Sequence, residues 1–104
     1  MDADLQRLSV ETGAALKAAG AVLATAESCT GGWVAEIVTA TAGSSAWFDC
    51  GFVTYSNAAK QRMLGVAEAT LKAHGAVSEP VALEMARGAL AHSDATAALS
   101  ITGI

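Results

Sequence analysis

Apolar residues recur along this chain in two alternating rhythms. From Leu5 the spacing is helical: Leu5, Leu8, Thr12, Ala15, Leu16 and Ala19 form one stripe, with Asp4 placed as an N-cap and Gly20 just past the last turn. This predicts an amphipathic helix lying on another layer. Residues 21–26 are a short apolar run and are predicted as a buried strand. A second helix is predicted over 31–40, with Val34, Ile37 and Val38 on one face. Residues 41–45 are small and polar and read as a loop. Residues 48–55 read as a strand, in which Gly51 marks a weak point or a close backbone approach. Ser56-Asn57 then stops the strand and caps a short helix over 58–64, closed by Gly65. Residues 67–74 give one or two more helical turns. Ser78-Glu79-Pro80 opens another helix, because proline is tolerated in a first turn, and Leu83, Ala86 and Leu90 are its predicted buried stripe. Residues 95–101 form a third strand, and Thr102-Gly103 begins a turn.

Strands that alternate with helices favour an α/β layered fold. No internal repeat, low-complexity tract or linker divides the chain, so residues 1–104 are expected to form one domain. Three strands are few for such a sheet. The last strand runs into Thr-Gly as if toward a further loop, so the expectation is a domain truncated at its C-terminus.

Composition narrows the function classes. Apolar residues make up 53% and charged residues 15%, which argues against disorder. Alanine supplies much of the apolar share, so the core is built from small side chains. The net charge is −4 and no basic cluster occurs, which argues against a nucleic-acid surface. No apolar run reaches the length of a membrane span. The acidic start, Met1-Asp2-Ala3-Asp4, lacks a signal-peptide pattern, and the expected compartment is the cytoplasm. Cys29 and Cys50 are isolated thiols without metal-ligand spacing, and two cysteines do not make a disulfide framework. No cofactor is expected.

One stretch concentrates the chemistry: Thr25-Ala26-Glu27-Ser28-Cys29-Thr30-Gly31-Gly32. It lies where the first strand turns into the second helix. Adjacent glycines let the backbone approach a bound group closely. A helix start offers unpaired N–H groups and the positive end of a dipole, which suits an anion or a developing oxyanion. The plainer alternative is that Ser28 or Thr30 only caps the helix.

Five motifs in order resemble the C-terminal domain of the CinA (competence/damage-inducible) family. They are the stretch above, Ala42-Gly43-Ser44-Ser45, Gly51-Phe52-Val53-Thr54-Tyr55-Ser56-Asn57 with Lys60, His74-Gly75-Ala76-Val77-Ser78, and Ser100-Ile101-Thr102-Gly103-Ile104. The resemblance covers essentially the whole chain. It implies a three-layer α/β/α sandwich with a mixed sheet, of which these residues are the N-terminal two-thirds. Stand-alone members are nicotinamide-nucleotide amidases, also called NMN deamidases. They hydrolyse nicotinamide mononucleotide to nicotinic acid mononucleotide and ammonia in pyridine-nucleotide salvage, with a serine nucleophile, a lysine base, a nearby tyrosine and no metal. These roles fall on Ser28, Lys60 and Tyr55. Thr30, Gly31 and Gly32 match the turn after the nucleophile. Ser44, Asn57, Thr102 and Gly103 match positions expected at the substrate. In the family, Thr-Gly-Ile continues into a glycine- and proline-rich loop, further strands and a last helix, and that part carries an arginine expected near the phosphate.

The implied roles make physical demands. An amide is a poor electrophile, so a serine needs a base and an oxyanion site, the latter expected from the N–H groups of Thr30 to Gly32. Lys60 must shed its proton, and a free lysine titrates near 10.4. The start of its helix and a pocket walled by Phe52 and Tyr55 are expected to depress that value. Tyr55 is expected to relay a proton or orient Lys60 or Ser28. Glu27 points away from Ser28 if the strand persists, and is given a supporting or structural role. Cys29 is expected to be a small buried thiol. His74 and His92 are assigned no chemistry, and Trp33 and Trp47 are read as packing or interface residues that a nucleotide pocket could also use for stacking.

Two further readings compete with the hydrolase. One is a nucleotide-binding module in which Gly31-Gly32 hold a phosphate without turnover. The other is a structural role in a homo-oligomer, since alanine-rich helices pack closely and an open sheet edge seeks a partner. The joint presence of Ser28 and Lys60, which phosphate binding does not require, favours the enzyme acting on a small nucleotide.

Overall fold

A computed structural model describes residues 1–104. Helix α1 spans Ala3–Ala19, β1 Leu23–Glu27, α2 Trp33–Thr39, β2 Phe48–Val53, α3 Asn57–Leu64, α4 Glu68–His74, α5 Glu79–Ala91 and β3 Ala97–Ile101, with a single 3-10 turn at Ser44–Ala46. The caps follow side-chain chemistry. Asp2, not Asp4, caps α1, its carboxylate accepting the Leu5 N–H at 2.9 Å. Ser56 caps α3 by accepting the Ala59 N–H at 3.0 Å, and Ser78 caps α5 with Pro80 in the first turn.

The three strands are all parallel, in the order β2-β1-β3. Over these residues the expected mixed sheet is therefore purely parallel. Central β1 is buried along its whole length, as a strand covered on both faces must be. Side-chain alternation divides its contacts. Leu23 faces a cluster with Val38 and Trp47, flanked by Leu16 of α1 and Val34 of α2. Ala24 and Ala26 face the opposite cluster, built from Leu64, Val66, Leu71, Val81, Met85 and Ala89. Helices α1 and α2 thus cover one face and α3, α4 and α5 the other, which is the three-layer sandwich.

Two predicted stripes are rotated. In α1 the buried positions are Ser9 and Gly13, whereas Leu8 is exposed. In α5 they are Val81, Met85, Gly88 and Ala89, whereas Leu83 and Leu90 are exposed. Close approach is the cause. A Cβ on Gly13 would lie 2.6 Å from the Trp47 ring, and one on Gly88 only 2.0 Å from the Leu64 carbonyl oxygen.

The Gly88 contact gives a direct test. In an exposed helix, glycine to alanine stabilises by about 1 kcal/mol. Here the added methyl meets backbone that cannot rotate away, and Gly88→Ala should instead destabilise by about 2–3 kcal/mol. Urea unfolding reads the sign. A variant as stable as the parent would mean that α5 does not seat on the end of α3.

Candidate active site

The connections after β1 and β2 leave the sheet toward opposite faces, to α2 and to α3. That divergence opens a crevice at the carboxyl ends of the strands, where ligands collect in open α/β sheets. Ser28 follows β1 directly. Its N–H donates to the Ile101 carbonyl at 2.9 Å and its own carbonyl accepts from Gly31, so its backbone is fixed from two sides. Gly31 and Gly32 have φ of 62° and 104°, a left-handed pair that residues with a Cβ rarely adopt. Continued alternation turns Ser28 to the face of Ala24 and Ala26, toward α3, and Glu27 to the face of α2.

Lys60, on α3, is 1% exposed. Its Nζ lies 3.1 Å from Ser28 Oγ, 3.0 Å from the Thr54 carbonyl oxygen and 2.9 Å from the Tyr55 carbonyl oxygen. No carboxylate pairs with it; the ion pairs of the chain join Arg7 to Asp4 and Glu11, and Lys72 to Glu68, on exposed helix surfaces. Burial disfavours the uncompensated ammonium and holds the Lys60 pKa below its ordinary value, with Cys29 opposing. A neutral amine has two N–H groups and one lone pair. In the structure Ser28 Oγ accepts from Lys60 Nζ and donates to the Tyr55 carbonyl oxygen at 3.4 Å; in a neutral amine whose two N–H groups are held by the carbonyls, the lone pair is free for the Ser28 hydroxyl.

Glu27 is 1% exposed and accepts three hydrogen bonds, from Thr30 Oγ1 at 2.6 Å, the Val34 N–H at 2.9 Å and the Ala35 N–H at 3.0 Å. Burial alone would raise its pKa. The Thr30 hydroxyl and the N–H groups of Val34, Ala35 and Gly32 outweigh that and hold it below the usual carboxylate value. The start of α2 is therefore already occupied by an internal anion. This changes the expected oxyanion donors. Gly31 N–H is held by the Ser28 carbonyl and Gly32 N–H faces Glu27, whereas the N–H groups of Cys29 and Thr30 take no partner within the chain.

The cleft over Ser28 encloses about 410 Å³, and Cys29, Tyr55, Asn57, Lys60, Thr102 and Gly103 are among the residues that line it. The CinA C-terminal domain profile matches residues 5–104. The chain belongs to the CinA C-terminal domain family. It is 63% identical over 103 residues to the nicotinamide-nucleotide amidohydrolase PncC of Escherichia coli K12, covering 99% of this chain and 62% of that protein. It is 54% identical over 101 residues to a putative competence-damage inducible protein of Symbiobacterium thermophilum, covering 97% of this chain and 24% of that protein. The crystal structure of the competence/damage inducible protein CihA from Agrobacterium tumefaciens superposes with a TM-score of 0.95 at 48% identity, over 100% of this chain and 63% of that one. The chain thus spans about 62% of the length of the PncC relatives it matches.

Within this CinA domain, the residues expected at the site divide into three groups. Ser28, Lys60, Tyr55, Asn57, Thr102 and Gly103 converge on the cleft. Tyr55 does so with its carbonyl holding Lys60 while its ring is 76% exposed and its hydroxyl makes no hydrogen bond. Thr30, Gly31 and Gly32 shape the turn, and Thr30 directs its hydroxyl to Glu27, not to the cleft. Ser44 lies beside Trp47, whose carbonyl bonds the start of β1, on the order of 15 Å along the strands from Ser28. Phe52 packs in the core and does not wall the cleft. Cys29 is exposed at the cleft and not buried. The carbonyls of Thr54 and Tyr55 were not foreseen, and no side-chain pattern announces them. No group of three or more His, Cys, Asp or Glu residues is placed to hold a metal, and no helix is long and apolar enough to cross a membrane.

Glu27 yields a pH prediction. Unfolded, its carboxyl titrates near 4.3; folded, it titrates lower. Between those values the unfolded chain binds more protons. The stabilisation is therefore complete above about 4.3 and is lost as pH falls through the folded value. Glu27→Gln should lower stability at pH 7 by roughly 1–3 kcal/mol and flatten the acid limb of the stability curve. Parent and variant with parallel acid limbs would contradict the described bonding.

Proposed function

We propose that this chain carries the catalytic pair of a serine–lysine amide hydrolase acting on the carboxamide of nicotinamide mononucleotide. The observation that carries the reading is the Lys60 amine, buried without a counter-charge, held by two carbonyls and 3.1 Å from Ser28 Oγ. The substrate choice is supported by the likeness to the E. coli amidohydrolase. In this reading Lys60 takes the Ser28 proton as Oγ attacks the amide carbon. The N–H groups of Cys29 and Thr30 receive the oxyanion. As the C–N bond breaks, the Lys60 ammonium protonates the leaving nitrogen and ammonia departs. Water, deprotonated by the regenerated amine, then attacks the acyl-enzyme. It releases nicotinic acid mononucleotide and returns the proton to Ser28. A cytoplasmic place in pyridine-nucleotide salvage follows from that substrate and belongs to the same proposal.

Ser28→Ala should reduce ammonia release from nicotinamide mononucleotide by about a thousandfold or more, with the fold retained. Lys60→Arg should be nearly as damaging as Lys60→Ala, since guanidinium cannot yield its proton in the working range. Substantial turnover by the arginine variant would remove Lys60 as the base.

Lys60 also links pH to stability. Its folded pKa is depressed, whereas the unfolded chain keeps that proton to about 10.4. Stability should therefore rise with pH between the folded value and about 10.4, as the penalty on the buried ammonium disappears. Lys60→Met should remove that rise. An equal slope in parent and variant would show that the amine is not desolvated.

A further inference from the structure

The cleft presents an ordered set of donors and acceptors. Thr102 lines it beside Ser28, because Thr102 follows Ile101, whose carbonyl holds the Ser28 N–H at 2.9 Å. A threonine hydroxyl has one proton and two lone pairs. The Thr102 proton is committed, since Oγ1 donates to the Ala76 carbonyl at 2.8 Å, and a carbonyl can only accept. Ala76 is itself fixed. It lies in the turn between α4 and α5, where Ser78 Oγ donates to the Gly75 carbonyl at 2.8 Å. Thr102 therefore offers a ligand lone pairs only. The carbonyls of Thr54 and Tyr55 are engaged by Lys60. Asn57 carries both a donor and an acceptor and can turn either to a ligand.

We infer that Thr102 is a specificity-determining residue that accepts a hydrogen bond from the –NH₂ of the substrate carboxamide and so selects the amide over the product carboxylate. The inference rests on the amide-hydrolase reading and adds to it how substrate and product are told apart. A carboxamide fits the polarity of the cleft. Its oxygen takes the N–H groups of Cys29 and Thr30, and its nitrogen gives a proton to Thr102. A carboxylate has two acceptor oxygens. One can use the same N–H groups, but the other, standing where the –NH₂ stood, meets the lone pairs of Thr102 where the amide had given a proton. A site that hydrogen-bonds one group rejects the analogue lacking it, because a buried polar atom is left unpaired.

The test separates binding preference from turnover. Ser28→Ala halts the reaction, so nicotinamide mononucleotide and nicotinic acid mononucleotide can each be titrated intact by calorimetry. The Ser28→Ala protein should bind the amide about tenfold or more tightly than the acid, the size of one hydrogen bond. Adding Thr102→Val should erase that preference by weakening the amide and not the acid. Adding Thr102→Ser, which keeps the hydroxyl, should restore it and also control for damage to the fold. Equal loss of both ligands in the valine protein, or no preference in the Ser28→Ala protein, would overturn the inference. The hydrolase reading is judged separately, by ammonia release from the protein with Ser28 intact. Amide preference without ammonia release would sink that reading and leave the role of Thr102 standing.

Discussion

The structure depends on one amine removed from water with no charge to balance it. An isolated ammonium is costly in such surroundings, and burial lowers the Lys60 pKa from its ordinary value. Everything near Lys60 serves that outcome. The N-cap Ser56 starts α3 so that Lys60 falls in its first turn and a half. The chain leaving β2 bends so that two successive carbonyls, of Thr54 and Tyr55, point at one nitrogen. Those carbonyls satisfy the N–H groups without supplying a full negative charge, which would have stabilised the ammonium. The remaining valence of the amine is directed at Ser28.

The opposite charge is handled in the opposite way. Glu27 is as buried as Lys60, yet it stays ionised, because a hydroxyl and helix N–H groups converge on it. The two buried charges of this region therefore do not pair. Strand alternation sends them to different faces of the sheet, the acid to anchor α2 and the amine to meet the Ser28 hydroxyl. A protein carboxylate on the Lys60 side would have stabilised its ammonium. The one-residue offset between Glu27, the last residue of β1, and Ser28, the first beyond it, sends their side chains to opposite faces.

Much of this was legible in the chain. The strand-to-helix turn at residues 27–32, the Ser56 cap and the alternation of strands and helices are carried by side chains with strong local preferences. The inward faces of α1 and α5 were not. Sequence patterning weighs large apolar residues, and Leu8, Leu83 and Leu90 drew the stripes toward themselves. Close-packed layers select small residues instead, and Ser9, Gly13, Gly88 and Ala89 carry little hydrophobic signal. At the site, Lys60 reads as an ordinary solvated helix residue, and only family resemblance singled it out. The carbonyls that hold it are backbone atoms, common to every residue type, so no letter marks them. Tyr55 was read through its hydroxyl, whereas the atom that touches Lys60 is its carbonyl.

The central claim is that burial makes the Lys60 amine give up its proton more readily than a free lysine. NMR titration of the Lys60 side chain, labelled at Cε and Nζ, measures this at the atom concerned. Lys60 should titrate clearly below the free-lysine value near 10.4. Titration of Lys60 at or above that value would contradict it.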